Sequence, residues 1–193
     1  MKADRYIEII KTKLDQELFN HSLGVAEAAA KLAQRYGAAT DSAYLAGIIH
    51  DYGKRFSGQE LLKLAQEMNI RLDWITRQEK RLLHAPVGAA LIRKELLIDD
   101  PDILKAVANH TTGCSGMSKL EKIVYLADYI ETGRDYPEVE KIRQIALKDF
   151  ELALLEAVEF AIRSVLDRKL LLHPDSVAFR NELLQLQKES VKP

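Results

Sequence analysis

Residues 46–55 read AGIIHDYGKR and set His50 and Asp51 side by side, directly behind Ile48 and Ile49. Two polar residues that both bind metals, at the end of an apolar run, mark either a helix end meeting solvent or half of a metal site. The flanking pattern is helical. The segment TDSAYLAGIIHDYGK offers a cap at Thr40 or Asp41 and is expected to end near Gly53. Before it, HSLGVAEAAAKLAQRYG places His21, Val25, Ala28, Ala29 and Leu32 on one face and stops at Gly37.

The same period continues along the chain. SGQELLKLAQEMN predicts a capped amphipathic helix with Leu61, Leu64, Ala65 and Met68 inward. APVGAALIRKELL carries Pro86 where a first helical turn tolerates it. DPDILKAVANH brings Ile103, Ala106, Val107 and His110 to one face. After the loop TTGCSGMS, SKLEKIVYLADYIETG clusters Leu120, Val124, Ala127 and Asp128, with Ser118 as the expected cap. Residues 148–172 predict one long helix, and DSVAFRNELLQLQKES a last one. Trp74, in LDWITRQ, is expected in the core. No segment alternates as a strand does, and no repeat or linker divides the chain, so the expectation is all-α, a single helical-bundle domain over residues 1–193.

Composition narrows the function. With 47% hydrophobic and 30% charged residues, the 193-residue chain has the balance of a globular protein, not a disordered one. A net charge of −1, from 28 Lys+Arg against 29 Asp+Glu, gives no electrostatic case for nucleic acid as a partner. Cys114 is the only cysteine, so no internal disulfide can form, which fits a reducing compartment. The N-terminal stretch MKADRYIEIIKTKLDQ is too charged for a signal peptide, and no run of about 18 apolar residues exists to span a membrane. A cytoplasmic protein is expected, and a homodimer is compatible with this pattern.

Four histidines and two aspartates sit where polar groups are costly. His21 and His110 lie on apolar faces, His50 follows AGII, His84 stands just before the Pro86 helix start, and Asp128 shares a side with Leu120 and Val124. Any one of them reads as a satisfied core residue or a cap. Burying all six without partners would cost on the order of several kcal/mol each, as much as a whole domain has to spare. A divalent cation removes that cost by binding neutral imidazole and carboxylate directly.

The order His21, His50-Asp51, His84, His110, Asp128 resembles the HD phosphohydrolase superfamily, an all-helical fold named for its His-Asp pair. HSLGVAEAAAKLA, AGIIHDYGK, LLHAPVGAALI, VANHTTG, YLADYIETGRDY and HPDSVAFRN together resemble its YqeK-like group, over nearly the whole chain. That resemblance implies metal-dependent cleavage of diadenosine tetraphosphate by water to two ADP. It implies iron first, divalent or mixed-valence, with manganese or cobalt as alternatives and one or two ions. His21, His50, Asp51 and Asp128 would form the principal set, and Asp51 would bridge to an ion on His84 and His110. With a single ion, His84 and His110 would instead donate hydrogen bonds to phosphate. Adjacent helical residues diverge by about 100°, so His50 and Asp51 meet one ion only at an oblique helix edge.

Splitting a phosphoanhydride needs charge neutralisation, a nucleophile made from water, and a stabilised leaving group. Lys54, three residues past Asp51, and Arg134, after YIETG, are the candidate phosphate clamps and join His50 and Asp51 in the catalytic set. Thr111 adjoins His110 and, with His21, His84, His110 and His173, is a candidate substrate contact. His173 otherwise reads as a cap on the helix before Pro174, Tyr129 as a residue that can stack on a base, and Cys114 as a small loop residue. Three alternatives remain: the same chemistry on a deoxynucleotide or a guanosine polyphosphate, a non-catalytic nucleotide-sensing module that keeps the metal, and a helical protein without one.

Overall fold

A computed structural model of the protein describes residues 4–190, and no strand occurs among them. The single-domain expectation also takes in residues 1–3 and 191–193, which lie outside the described residues. Helix α1 (Asp4–Lys13) leads into α2 (Gln16–Tyr36), which begins where the Asp15 carboxylate accepts the Leu18 N–H and ends at Gly37 in the left-handed region, φ 68°. Next comes α3 (Thr40–Ile49), in which Ala43, Ala46, Gly47, Ile48 and Ile49 are all buried. A helix apolar on so many sides has to sit among others. Helix α2 packs along α3 more extensively than any other pair of elements packs.

That packing depends on Gly47, where an ideal Cβ would stand 2.6 Å from Ala26 Cα and 2.8 Å from Ala26 N. The two backbones touch there. After α3 the chain tightens into a 3-10 turn, Tyr52–Arg55. Gly53 in that turn lies so close to the backbone of His84 that a Cβ would come within 3.0 Å of His84 Cα.

The remaining helices are α4 (Gly58–Glu67), α5 (Trp74–Gln78), α6 (His84–Leu91), α7 (Pro101–Asn109), α8 (Lys119–Ile130), α9 (Val139–Ala146), α10 (Phe150–Asp167) and α11 (Pro174–Ser190). Their starts are chemically marked. Ser57 with Glu60 and Ser118 with Glu121 form full capping boxes, and Asp100 caps α7 with Pro101 in its first turn. One core cluster holds Ile48, Ile49, Tyr52, Leu83, Val87 and Val107. A second holds Val25, Tyr125, Leu126, Leu154, Phe179 and Leu183. Helices α2 and α8 feed both: Ala26 and Val124 the first, Val25 and Ile123 the second.

The loop between α7 and α8 is tied down by α11. The Glu182 carboxylate accepts from Ser115 Oγ at 2.6 Å and from the Gly116 N–H at 2.5 Å. Ser176 Oγ donates to Thr112 O at 2.8 Å. The Phe179 ring lies against Gly113, where a Cβ would stand 2.6 Å from it. Arg180 anchors α11 to α10 through Glu159, at 2.7 Å.

Four local expectations need correction. The residue before α3 is Ala39, with no side-chain cap, and Thr40 and Asp41 already lie in the first turn, where the Asp41 charge favours the helix dipole. The α-helix stops at Ile49 rather than near Gly53, because the 3-10 turn intervenes. The helix expected over 148–172 begins only at Phe150, since Asp149 caps it by accepting from the Leu152 N–H, and it ends at Asp167. Trp74 is 65% exposed, not core: in the single turn of α5 it is Ile75 and Thr76 that face inward.

Replacing Gly47 with alanine forces the α2 and α3 backbones apart and is expected to cost about 1–3 kcal/mol of stability. Urea unfolding of the variant beside the parent chain measures it, and an unchanged midpoint would contradict the close approach.

Candidate metal centre

The six polar residues meet where element ends converge. His50 follows the last residue of α3, His84 opens α6, and His110 follows α7, while His21 and Asp128 project from within α2 and α8. His50 and Asp51 have no exposed surface, and His110 has 1%. The C-terminal ends of helices and of 3-10 turns leave carbonyls unpaired, and three imidazoles use them, His84 through the turn Lys80–Leu82 before α6. His50 Nδ1 donates to Gly47 O at 2.7 Å, His84 Nδ1 to Arg81 O at 2.6 Å, and His110 Nδ1 to Val107 O at 2.7 Å. A carbonyl only accepts, so each Nδ1 carries a proton, and in its neutral form each ring turns a lone pair on Nε2 inward. His21 does the same through a carboxylate, with Nδ1 3.1 Å from Glu131 Oε1.

The inward nitrogens surround Asp51. Its Oδ2 lies 3.2 Å from His50 Nε2 and 3.5 Å from His21 Nε2. Its Oδ1 lies 3.4 Å from His84 Nε2 and 3.5 Å from His110 Nε2. Asp128 Oδ1 stands 3.0 Å from His21 Nε2 and 4.0 Å from His50 Nε2. The two Asp51 oxygens thus face two different imidazole pairs. His50 and Asp51 share this centre because α3 has already ended: Asp51 takes φ −95°, ψ 14°, outside the helical 100° progression.

Hydrogen bonding within the protein leaves this cluster unfinished. His21 Nε2, His50 Nε2 and both Asp51 oxygens are buried without a hydrogen-bond partner, although Lys54 Nζ forms an ion pair with Asp51 Oδ2 at 2.7 Å. His84 Nε2 and His110 Nε2 are 3.0 Å apart, two lone pairs facing each other when the rings are neutral. Thr111 Oγ1 lies 3.2 Å from each and has one proton to give. Such orphaned acceptors are expensive in a buried site. A divalent cation satisfies nitrogens and carboxylates together, and histidine ligands with the second ring N–H held by a carbonyl or carboxylate are the common arrangement. The donor set fits a divalent metal, as three overlapping groups: His21, His50 and Asp51; His50, His110 and Asp128; Asp51, His84 and His110.

The electrostatics agree. Burial pulls the His84 ring down to about 3, helped by His110, so the ring is in the neutral form that a metal binds. Burial alone would raise Asp51, but the His50 and His110 imidazoles beside it and the Lys54 ammonium outweigh it and hold the carboxyl well below the usual range. Asp128 behaves likewise: burial pushes up, and the adjacent His21, His50 and Arg134 bring it down. His21 would be lowered by burial but is raised by Asp128. Both carboxylates therefore stay anionic and attract positive charge.

Two clefts open on the cluster. One, of about 760 Å³, is lined by Asp15, Asn20, His21, Lys54, Thr132 and Arg134. The other, of about 340 Å³, is lined by Lys54, His84, Thr111, Tyr129, Phe160 and His173. Lys54 belongs to both. It reaches that position because a 3-10 turn eclipses residues three apart, which puts it above Asp51. Arg134 binds Asp128 twice, Nε to the backbone O at 2.8 Å and Nη2 to the carboxylate, and remains 38% exposed.

All the sequence-derived candidates come to this region. His173, however, caps the helix after it, not the one before: its Nδ1 accepts the Asp175 N–H at 3.2 Å, and its Nε2 pairs with Asp73 at 3.2 Å. Cys114 stands apart, its thiol pushed up by burial and neighbouring carboxylates. The residue the sequence reading missed is Glu131, 3% exposed, which holds His21. Its signal was faint: three residues past Asp128, it falls just beyond the end of α8.

Residues 18–133 match the family model described as HD domain. The chain is 39% identical to a Halalkalibacterium halodurans protein named symmetrical bis(5'-nucleosyl)-tetraphosphatase, over 97% of this chain and 100% of that one. A Bacillus subtilis protein of the same name is 33% identical over 95% and 98%. A crystal structure from Clostridium acetobutylicum, described as a predicted HD superfamily hydrolase involved in NAD metabolism, superposes with a TM-score of 0.90 at 36% identity, covering 94% of this chain and 96% of that one. With a family match over more than half its length and relatives this similar from end to end, the chain belongs to the HD-domain family, on the branch of the symmetrical bis(5'-nucleosyl)-tetraphosphatases.

Proposed function

We propose that this chain hydrolyses dinucleoside polyphosphates, by preference diadenosine tetraphosphate and water to two ADP, at a transition-metal centre held by His21, His50, Asp51, His84, His110 and Asp128. The observation that carries it is the pair of clefts meeting at Lys54 above those six residues. A substrate whose four phosphates cross Lys54 has one nucleoside on each side, and cleavage of the middle anhydride makes two identical products. A bound divalent ion supplies charge neutralisation and lowers the pKa of water toward about 7. The two Asp51 oxygens face different imidazole pairs, so this donor set would suit two ions better than one. Imidazole and carboxylate donors suit iron, manganese, cobalt and zinc alike, and the family likeness puts iron first.

The chain's own residues do the rest. Lys54 Nζ has three donors, of which Asp51 takes one, and the others face phosphate from either cleft. Arg134 spends Nε and Nη2 on Asp128, which fixes the plane of the guanidinium and leaves Nη1 for a phosphate oxygen. Thr111 places its hydroxyl at the mouth of the second cleft, and His173 and Tyr129 contact the sugar or base there. This activity is assigned to one domain over residues 1–193, in the cytoplasm. The lone Cys114 supports that location, and among the described residues no helix is long and apolar enough to cross a membrane.

Three outcomes follow. Asp51→Ala is expected to lose both metal content and activity, and full metal with full turnover would sink the proposal. Arg134→Ala is expected to keep its metal and to lose about 100-fold or more in kcat/KM, through a higher KM or a lower kcat. Against a panel of nucleotides with iron or manganese, product chromatography should show ADP alone from diadenosine tetraphosphate. Equal or faster release of inorganic phosphate from a mononucleotide would overturn the substrate assignment.

A further inference from the structure

Three of the four inward imidazoles are oriented by carbonyls within their own turn. That is open to His50 and His110 because they stand just past helix C-termini, where such carbonyls are unpaired, and to His84 because Arg81 lies in the 3-10 turn Lys80–Leu82 that precedes α6. His21 stands inside α2, where the carbonyls are engaged, so its Nδ1 needs a partner from elsewhere. Glu131, 110 residues further on, supplies it at 3.1 Å.

The surroundings of that carboxylate are built for it. Glu131 is 3% exposed and follows the last residue of α8. Its Oε2 accepts the Gly133 N–H at 2.5 Å. Its backbone oxygen accepts from Arg143 Nη2 at 2.6 Å, which fixes the main chain below it. Two glycines make room. At Gly24, one turn past His21, a Cβ would land on the carboxylate, and at Gly133 a Cβ would stand 3.1 Å from both oxygens. A glycine within a helix costs about 1 kcal/mol relative to alanine, and Gly24 gives α2 no bend or stop. Its place is explained by the carboxylate that leans on it.

We infer that Glu131 is a positioning residue that sets the metal affinity of the centre through His21, without itself ligating the ion. The inference rests on the metal-centre reading above. The carboxylate on Nδ1–H keeps the proton there, makes Nε2 a stronger donor, and aims it between Asp128 at 3.0 Å and Asp51 at 3.5 Å.

The test is Mn²⁺ affinity, by chelator competition on the metal-depleted full chain. Glu131→Gln is expected to bind roughly 10–100-fold more weakly than the parent, and excess Mn²⁺ is expected to restore kcat. Gly24→Ala keeps the charge but displaces the carboxylate, and is expected to weaken binding to a similar degree. On a His21→Ala background, Glu131→Gln should change affinity by no more than about twofold, the scatter of independent sites. Parent-like affinity in Glu131→Gln, or an undiminished loss on the His21→Ala background, overturns the inference. If Glu131→Gln melts below the assay temperature, Gly24→Ala decides, and unchanged affinity there overturns it. A parent chain that binds no Mn²⁺ overturns the metal-centre reading instead.

Discussion

A carboxylate with no exposed surface, surrounded by four imidazoles, is the constraint on which the rest of this structure depends. Asp51 has to stay anionic in a place where burial opposes the charge. Every element that touches the centre contributes to that. Helix α3 ends at Ile49, which turns His50 and Asp51 to the same side, the 3-10 turn lifts Lys54 above them, and α6 and α7 present His84 and His110 from their ends. The hydrophobic clusters on either side hold those ends in place, and α2 and α8 run through both.

The arrangement separates two tasks. Outward-facing Nδ1 atoms spend their protons on fixed acceptors, the inward-facing Nε2 atoms of His21 and His50 are left without a hydrogen-bond partner, and those of His84 and His110 share the single proton of Thr111. Orientation is thus settled by three backbone carbonyls and the Glu131 carboxylate before any ligand arrives, which lowers the reorganisation that binding requires. Lys54 and Arg134 work differently. They are partly exposed, anchored at one point each on a centre carboxylate, and retain free donors toward the clefts.

Much of this was legible in the chain. His21 and His110 stand on apolar faces at helical spacing, and the caps Ser57, Asp100 and Ser118 announce their helices chemically. What was not legible has physical reasons. Trp74 lies in a helix of a single turn, too short to show a period, so its bulk suggested burial that the fold does not provide. The eight residues of α9 carry Val139, Ile142 and Ala146 at helical spacing, but so short a run repeats the period too few times to stand out, and the sequence pattern alone leaves it unassigned. Glu131 pairs with His21 across 110 positions, and periodicity within one helix cannot reveal a partner on another. The clefts arise only from packing, so their meeting at Lys54 had no sequence signature.

The clasp between α11 and the loop at residues 111–118 carries a consequence for biosynthesis. Glu182, Ser176 and Phe179, which hold that loop, leave the ribosome after all six residues of the centre. Chains fold as they emerge, from the N-terminal side first. A nascent chain can therefore gather its histidines and aspartates while Thr111 still swings on an untethered loop, and α11, made later, closes the catalytic face.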